Sequence, residues 1–83
     1  MFYVYVLRSE TNNKYYIGCT NNIDRRITEH NTGKSLYTKN KGPWKLMYTE
    51  QFDNLSNAMQ REKQIKSWKK RSAIDKLINA AFV

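Results

Sequence analysis

The sequence predicts an α+β fold, a small three-stranded antiparallel sheet flanked by helices in the order β-β-α-β-α-α. Three observations carry the prediction. Phe2 to Leu7 is an unbroken apolar run of mostly aromatic and β-branched residues, two further segments have strand character, and the remaining stretches place apolar side chains at helical spacing. A chain of 83 residues encloses only one modest core, so all six elements are expected to form a single domain over residues 1–83.

The first strand has no polar position from residue 2 to residue 7 and is expected to be covered on both faces. Arg8 to Lys14 is polar, with Asn12-Asn13 as the turn candidate because asparagine tolerates positive φ. Tyr15 to Thr20 then returns as the second strand of a hairpin. With opposed residue numbers summing to an odd value, Tyr5 and Tyr16 share a face. Asn21 or Asn22 caps a first helix that carries Ile23 and Ile27 one turn apart and ends at Gly33; Arg26 and His30, also four apart, point the same way. Residues 34–43 form a basic loop ending in Gly42-Pro43, and Trp44 to Phe52 is the third strand. Asp53, Asn54 or Ser56 starts a second helix with the apolar stripe Leu55, Ala58, Met59, Ile65, Trp68. A third helix over residues 72–83, opened by Ser72, carries Ala73, Ile74, Leu77, Ile78 and Ala81.

Aromatic residues make up 13% of the chain, too many for a disordered tail despite a mean hydropathy of -0.84. No apolar run approaches the ~20 residues that cross a bilayer, and Phe2 to Leu7 has neither a basic region before it nor a small-residue cleavage site after it. A cytoplasmic protein without a membrane partner is expected. With one cysteine, Cys19, and one histidine, His30, the chain cannot build an internal disulfide or a structural zinc site.

Fifteen Lys and Arg against seven Asp and Glu leave a formal charge of +8, which favours a polyanion partner over a generic solubilising surface. The excess is concentrated: Lys34 to Arg71 holds ten basic residues and three acidic ones. Tyr37, Trp44, Tyr48 and Trp68 lie among these charges, a pattern suited to neutralising phosphates and stacking on bases. The expected nucleic-acid contacts are Lys39, Lys41, Lys45, Lys66, Lys69, Lys70 and Arg71.

Glu62 falls four after Ala58 and three before Ile65, an inward slot on its helix. Burying a lone carboxylate costs several kcal/mol, so Glu62 either binds a metal or is paired. The alternative is a narrow stripe with Glu62 joined to Lys66 at the helix rim. Arg26 offers a planar fork of donors that suits phosphate, and it equally fits a solvated helix flank beside a structural His30. Tyr5 and Tyr16 read singly as core aromatics; a phenol that titrates near ~10 serves as a base only where cations lower its pKa. A Cys19–His30 thiol pair is the other catalytic arrangement these residue types allow.

Taken together, Val4-Tyr5-Val6, Tyr16-Ile17-Gly18, Asp24-Arg25-Arg26 with His30, and Arg61-Glu62 on the later helix resemble the GIY-YIG nuclease superfamily over nearly the whole chain. The resemblance is nearest to the small stand-alone bacterial UPF0213 branch. Val4 stands where the superfamily usually has glycine. By this resemblance Tyr5 and Tyr16 are the two motif tyrosines, one of which deprotonates or orients the attacking water, and Arg26 holds the scissile phosphate with His30 one turn on. Glu62 is the ligand of a single divalent metal, Mg²⁺ or Mn²⁺. The family's late asparagine has no assigned counterpart. The resemblance implies a metal-dependent DNA endonuclease, directed by DNA structure, with RNA not excluded and no small-molecule cofactor. The rival readings are a nucleic-acid-binding module of the same fold with little turnover, and an interaction adaptor that would leave the clustered charge without a purpose.

Overall fold

The computed structural model describes residues 1–35 and 38–81; Tyr37 and residues 82 and 83 of the expected third helix lie outside the described residues. The elements are β1 (Phe2–Ser9), β2 (Tyr15–Thr20), α1 (Ile23–Asn31), β3 (Trp44–Phe52), α2 (Leu55–Lys66) and α3 (Arg71–Ala80). They follow the expected order. The sheet is antiparallel with strand order β2-β1-β3, which puts β1 in the centre. Tyr5 faces Gly18 and Leu7 faces Tyr16, so Tyr5 and Tyr16 do share a face. Between β1 and β3 the register shifts at Val6/Leu7, leaving Met47 as the extra residue of a bulge.

β1 is buried on both sides because successive side chains alternate between two packed layers. Val4, Val6 and Ile17 pack against Ala58 and Ile65 of α2 and Ile74 and Ile78 of α3. On the other face, Tyr5, Leu7 and Trp44 pack with Tyr16 and with Ile23 and Ile27 of α1. Each fully buried aliphatic side chain contributes about 1.5–3 kcal/mol, so this double burial anchors the fold on its central strand.

Local chemistry sets most boundaries. Asn13 turns the hairpin with φ 62, and Gly33 leaves α1 with φ 79. Asn22 caps α1 by accepting from the Arg25 N–H at 3.0 Å, and Asn54 caps α2 by accepting from the Asn57 N–H at 2.8 Å.

Three expectations are corrected. Leu55 and Met59 are 46% and 53% exposed, so the buried stripe of α2 runs through Ala58, Arg61, Ile65 and Trp68. Met59 lies about 100° round the helix from Ala58. Arg61 takes the inner place instead, donating through Nε and Nη2 to Glu50 on β3 at 3.1 and 3.0 Å, with its guanidinium 5.5 Å from the centre of the Trp68 ring. The start of α3 is Arg71, with Lys70 at the N-cap and no side-chain cap; Ser72 lies inside the first turn. Tertiary contacts fix that start, because Arg71 stacks over the Tyr15 ring at 4.4 Å and Asp75 accepts from the Tyr15 hydroxyl at 2.5 Å. Trp44 is 6% exposed and therefore a core residue rather than a stacking surface; its indole N–H donates to the Thr38 carbonyl at 3.2 Å.

Candidate active site

The α1 face of the sheet gathers Tyr5, Tyr16, Arg26 and His30, whereas Glu62 is carried by α2, which packs on the opposite face. Tyr5, at the middle of β1, is 1% exposed, and its hydroxyl lies 3.0 Å from Nε2 of His30 in the last turn of α1. His30 Nδ1 lies 2.7 Å from the Thr38 hydroxyl, which completes a buried Tyr5–His30–Thr38 chain. The Tyr16 ring sits beside both, its centre 4.8 Å from the imidazole and 6.4 Å from the Tyr5 ring. Arg26, one turn before His30, is half-buried and paired with Glu29 at 3.1 Å. Glu62 approaches from α2, with its side chain 20% exposed and Oε2 2.9 Å from the Lys66 ammonium.

Burial dominates the electrostatics. It pushes the Tyr5 phenol up to about 12, against the pull of Arg26 and reinforced by Tyr16 and Glu62. Burial likewise holds His30 down at about 4, with the Arg26 charge adding to it, so the ring is neutral at pH 7 and carries one proton between two hydroxyl partners. At Arg26, burial opposes the charge, but the contacts with Tyr5 and Glu29 outweigh it and raise the pKa. Burial also pushes the Cys19 thiol up, and Glu62 adds to that. Cys19 packs on the α2 side of the sheet while His30 faces α1, so the two form no thiol pair.

A divalent ion must be judged on the donors present. Among the described residues no three His, Cys, Asp or Glu side chains come together, so a protein cage is absent there. Glu62 offers one carboxylate at a half-open position. That suits Mg²⁺, which keeps several waters and needs one or two carboxylates.

Compared with known families, residues 1–77 match the GIY-YIG catalytic domain. The chain belongs to the GIY-YIG family. It is 48% identical over 66 residues to a UPF0213 protein of Natronomonas pharaonis, covering 78% of this chain and 76% of the relative. A UPF0213 protein of Oceanobacillus iheyensis is 45% identical over 65 residues, covering 77% and 74%. The solution NMR structure of a UPF0213 protein from Bacillus halodurans aligns with TM-score 0.61 at 34% identity, covering 96% of this chain and 85% of that one.

In this GIY-YIG domain the two named motifs meet across β1 and β2. Gly18, directly opposite Tyr5, has no unusual backbone angle to explain it; its role is space. A Cβ there would stand 2.3 Å from the Tyr5 hydroxyl oxygen, so the missing side chain lets the phenol lie across β2. Sequence reasoning named this glycine without seeing its purpose. It missed Thr38 and Glu29 as partners of His30 and Arg26, and no spacing rule connects Thr38 to His30 across the loop.

The basic positions Lys39, Lys41, Lys45, Lys66, Lys69, Lys70 and Arg71 are all exposed. Two of them already have protein partners. Lys66 is held by Glu62, and Arg71 is tied to Asp75 at 3.9 Å, to Tyr15 and to the Asn13 carbonyl. Among the described residues no helix is long and apolar enough to cross a membrane.

Proposed function

We propose that this GIY-YIG domain is a divalent-metal-dependent endonuclease of the cytoplasm that hydrolyses phosphodiester bonds in DNA, selecting its substrate by structure more than by base sequence. The observation that carries the reading is the convergence of Tyr5, Tyr16, Arg26 and His30 on one side of β1.

Hydrolysis joins a water oxygen to phosphorus and breaks the bond to the leaving strand oxygen. Negative charge grows on the phosphoryl oxygens, where the Arg26 fork offers two parallel donors. Its pair with Glu29 is a third exposed on each side and costs only ~0–1 kcal/mol to open. Tyr5 stays a phenol at neutral pH, held by neutral His30, so its hydroxyl orients the water; the proton that the water gives up to solvent is balanced by the one the leaving oxygen takes from it. Glu62 would hold Mg²⁺ or Mn²⁺ after releasing Lys66. A bound ion would supply Lewis-acid stabilisation of the phosphoryl charge. The exposed lysines hold the strands on either side.

The test is cleavage of labelled nicked, branched and linear DNA, with RNA alongside, by the wild type and Glu62→Gln. The wild type should cut only with added Mg²⁺ or Mn²⁺, which should also raise its melting temperature. Glu62→Gln should fold at least as well without metal, lose the metal-dependent rise and fail to cut. A second reading, a nucleic-acid-binding module with little turnover, draws on the ion pairs that engage both Arg26 and Glu62. Binding without cleavage by the wild type would select it.

A further inference from the structure

The end of the sheet at the β1–β2 turn collects cations from segments far apart in sequence. Arg8 on β1 directly faces Lys45 on β3 and Tyr15 on β2. Directly opposed side chains stand about 5 Å apart, so Arg8 and Lys45 form a like-charge cross-strand pair. Arg71 closes the row by stacking over the Tyr15 ring. Lys14 and Lys41 border the same turn, since the Lys14 carbonyl accepts from the Ser9 N–H and the Lys41 carbonyl from the Ser9 hydroxyl. Two carboxylates share this end: Glu10, whose N–H donates to the Pro43 carbonyl, and Asp75, already engaged by Arg71 and Tyr15. The ion pairs of the described residues include neither Arg8 nor Lys45.

Arg8 carries a further sign of a missing partner. Its Nε is shut away from solvent with no hydrogen-bond acceptor among the described residues. A directly opposed like charge costs stability, and an anion seated between Arg8 and Lys45 offsets it, while the closed-in Nε fixes the Arg8 side chain in place as an incompletely satisfied cation.

We propose that Arg8 and Lys45 form a phosphate subsite for the nucleic-acid backbone, separate from the point of cleavage. The proposal rests on the nucleic-acid reading above and deepens it. Arg8 lies three residues from Tyr5, about 10 Å along β1, and on the opposite face of the sheet. The phosphate it holds is therefore a different one from that beside Arg26, and a nucleic acid that touches both reaches across the hairpin end. Counting charge along the chain did not find this site, because Arg8 lies outside the basic stretch that begins at Lys34.

Arg8→Gln, Lys45→Gln and the double variant decide it, using a labelled nicked duplex and inorganic phosphate as probes. The double variant should lower the slope of log affinity against log salt by about 1–2 units, as expected for one or two lost phosphate contacts. Its KM for the duplex should rise roughly tenfold with kcat within about twofold of wild type, the pattern of lost uniform binding. Inorganic phosphate should raise the melting temperature of the wild type and not of the double variant. If Arg8→Gln does not fold, Lys45→Gln, at an exposed position, must by itself lower the slope. Unchanged slope and KM in variants that still cut DNA overturn the subsite and leave the nuclease reading intact. A wild type that binds no nucleic acid, while phosphate still raises its melting temperature, sinks that reading and overturns nucleic acid as the occupant.

Discussion

Arg26 and His30 sit one turn apart and do opposite things with charge. Arg26 keeps its proton at any working pH, and its preferred partner is charge that appears only during reaction. Arg26→Ala should therefore lower kcat by roughly 10²-fold with little change in DNA affinity, and Arg26→Lys should restore it only in part because the planar fork is gone. Single-turnover cleavage beside equilibrium binding separates the two effects. His30 is 2% exposed and titrates at about 4, below its ordinary value near 6.5. The unfolded chain binds this proton more readily, so His30 favours folding above pH 6.5 and loses that contribution as pH falls towards 4, up to ~3 kcal/mol. Urea denaturation at pH 7.5 and pH 4 should show this loss in the wild type, and His30→Gln should remove that share of it. Tyr5 and Tyr16 could be placed together from parity alone, since alternation along paired strands is a local rule. Thr38 could not, because it reaches His30 through a loop without periodicity.

At the level of elements, the Arg61–Glu50 pair bolts α2 to β3 immediately before Glu62 in the chain. Tyr48 also donates to Glu50 at 2.7 Å, so the carboxylate serves two partners. Glu50→Ala leaves a half-buried guanidinium without its carboxylate, with the Gln64 side-chain oxygen as its remaining acceptor, and should cost ~1–3 kcal/mol in denaturant unfolding. It should also weaken the metal-dependent rise in melting temperature without removing Glu62, which distinguishes positioning from ligation. This pair explains which parts of the helices were legible. The caps Asn22 and Asn54 announce themselves because an N-cap acts within three residues. The inner face of α2 does not, because Arg61 is turned inward by a strand partner eleven residues away that no helical period records. Likewise, α3 starts where Arg71 and Asp75 meet the hairpin, one residue before the serine that local chemistry offered.

Over the whole molecule, charge and topology have separable consequences. Lys69 and Lys70 are exposed, and neither belongs to an ion pair of the described residues, whereas Arg71 beside them holds α3 to the hairpin. Lys69→Gln with Lys70→Gln should lower the salt slope by about one unit per lost contact for every DNA sequence and leave the melting temperature unchanged. Arg71→Ala should lower the melting temperature as well. The basic surface was visible in the composition; its division between free and structural cations was not, since that depends on which residues the fold brings beside Arg71. The strand order carries one more consequence, for the rate at which the chain finds its fold. β1 meets β2 through a short turn at residues 10–14 but meets β3 only after the chain closes a loop of residues 10–43. The hairpin forms early, and docking of β3 on the other side of β1 sets the barrier, because loop entropy is lost before the long-range contacts return it. In chevron experiments Ile17→Val, within the hairpin, should mainly slow refolding, while Ile78→Val, on the last helix to pack, should mainly speed unfolding.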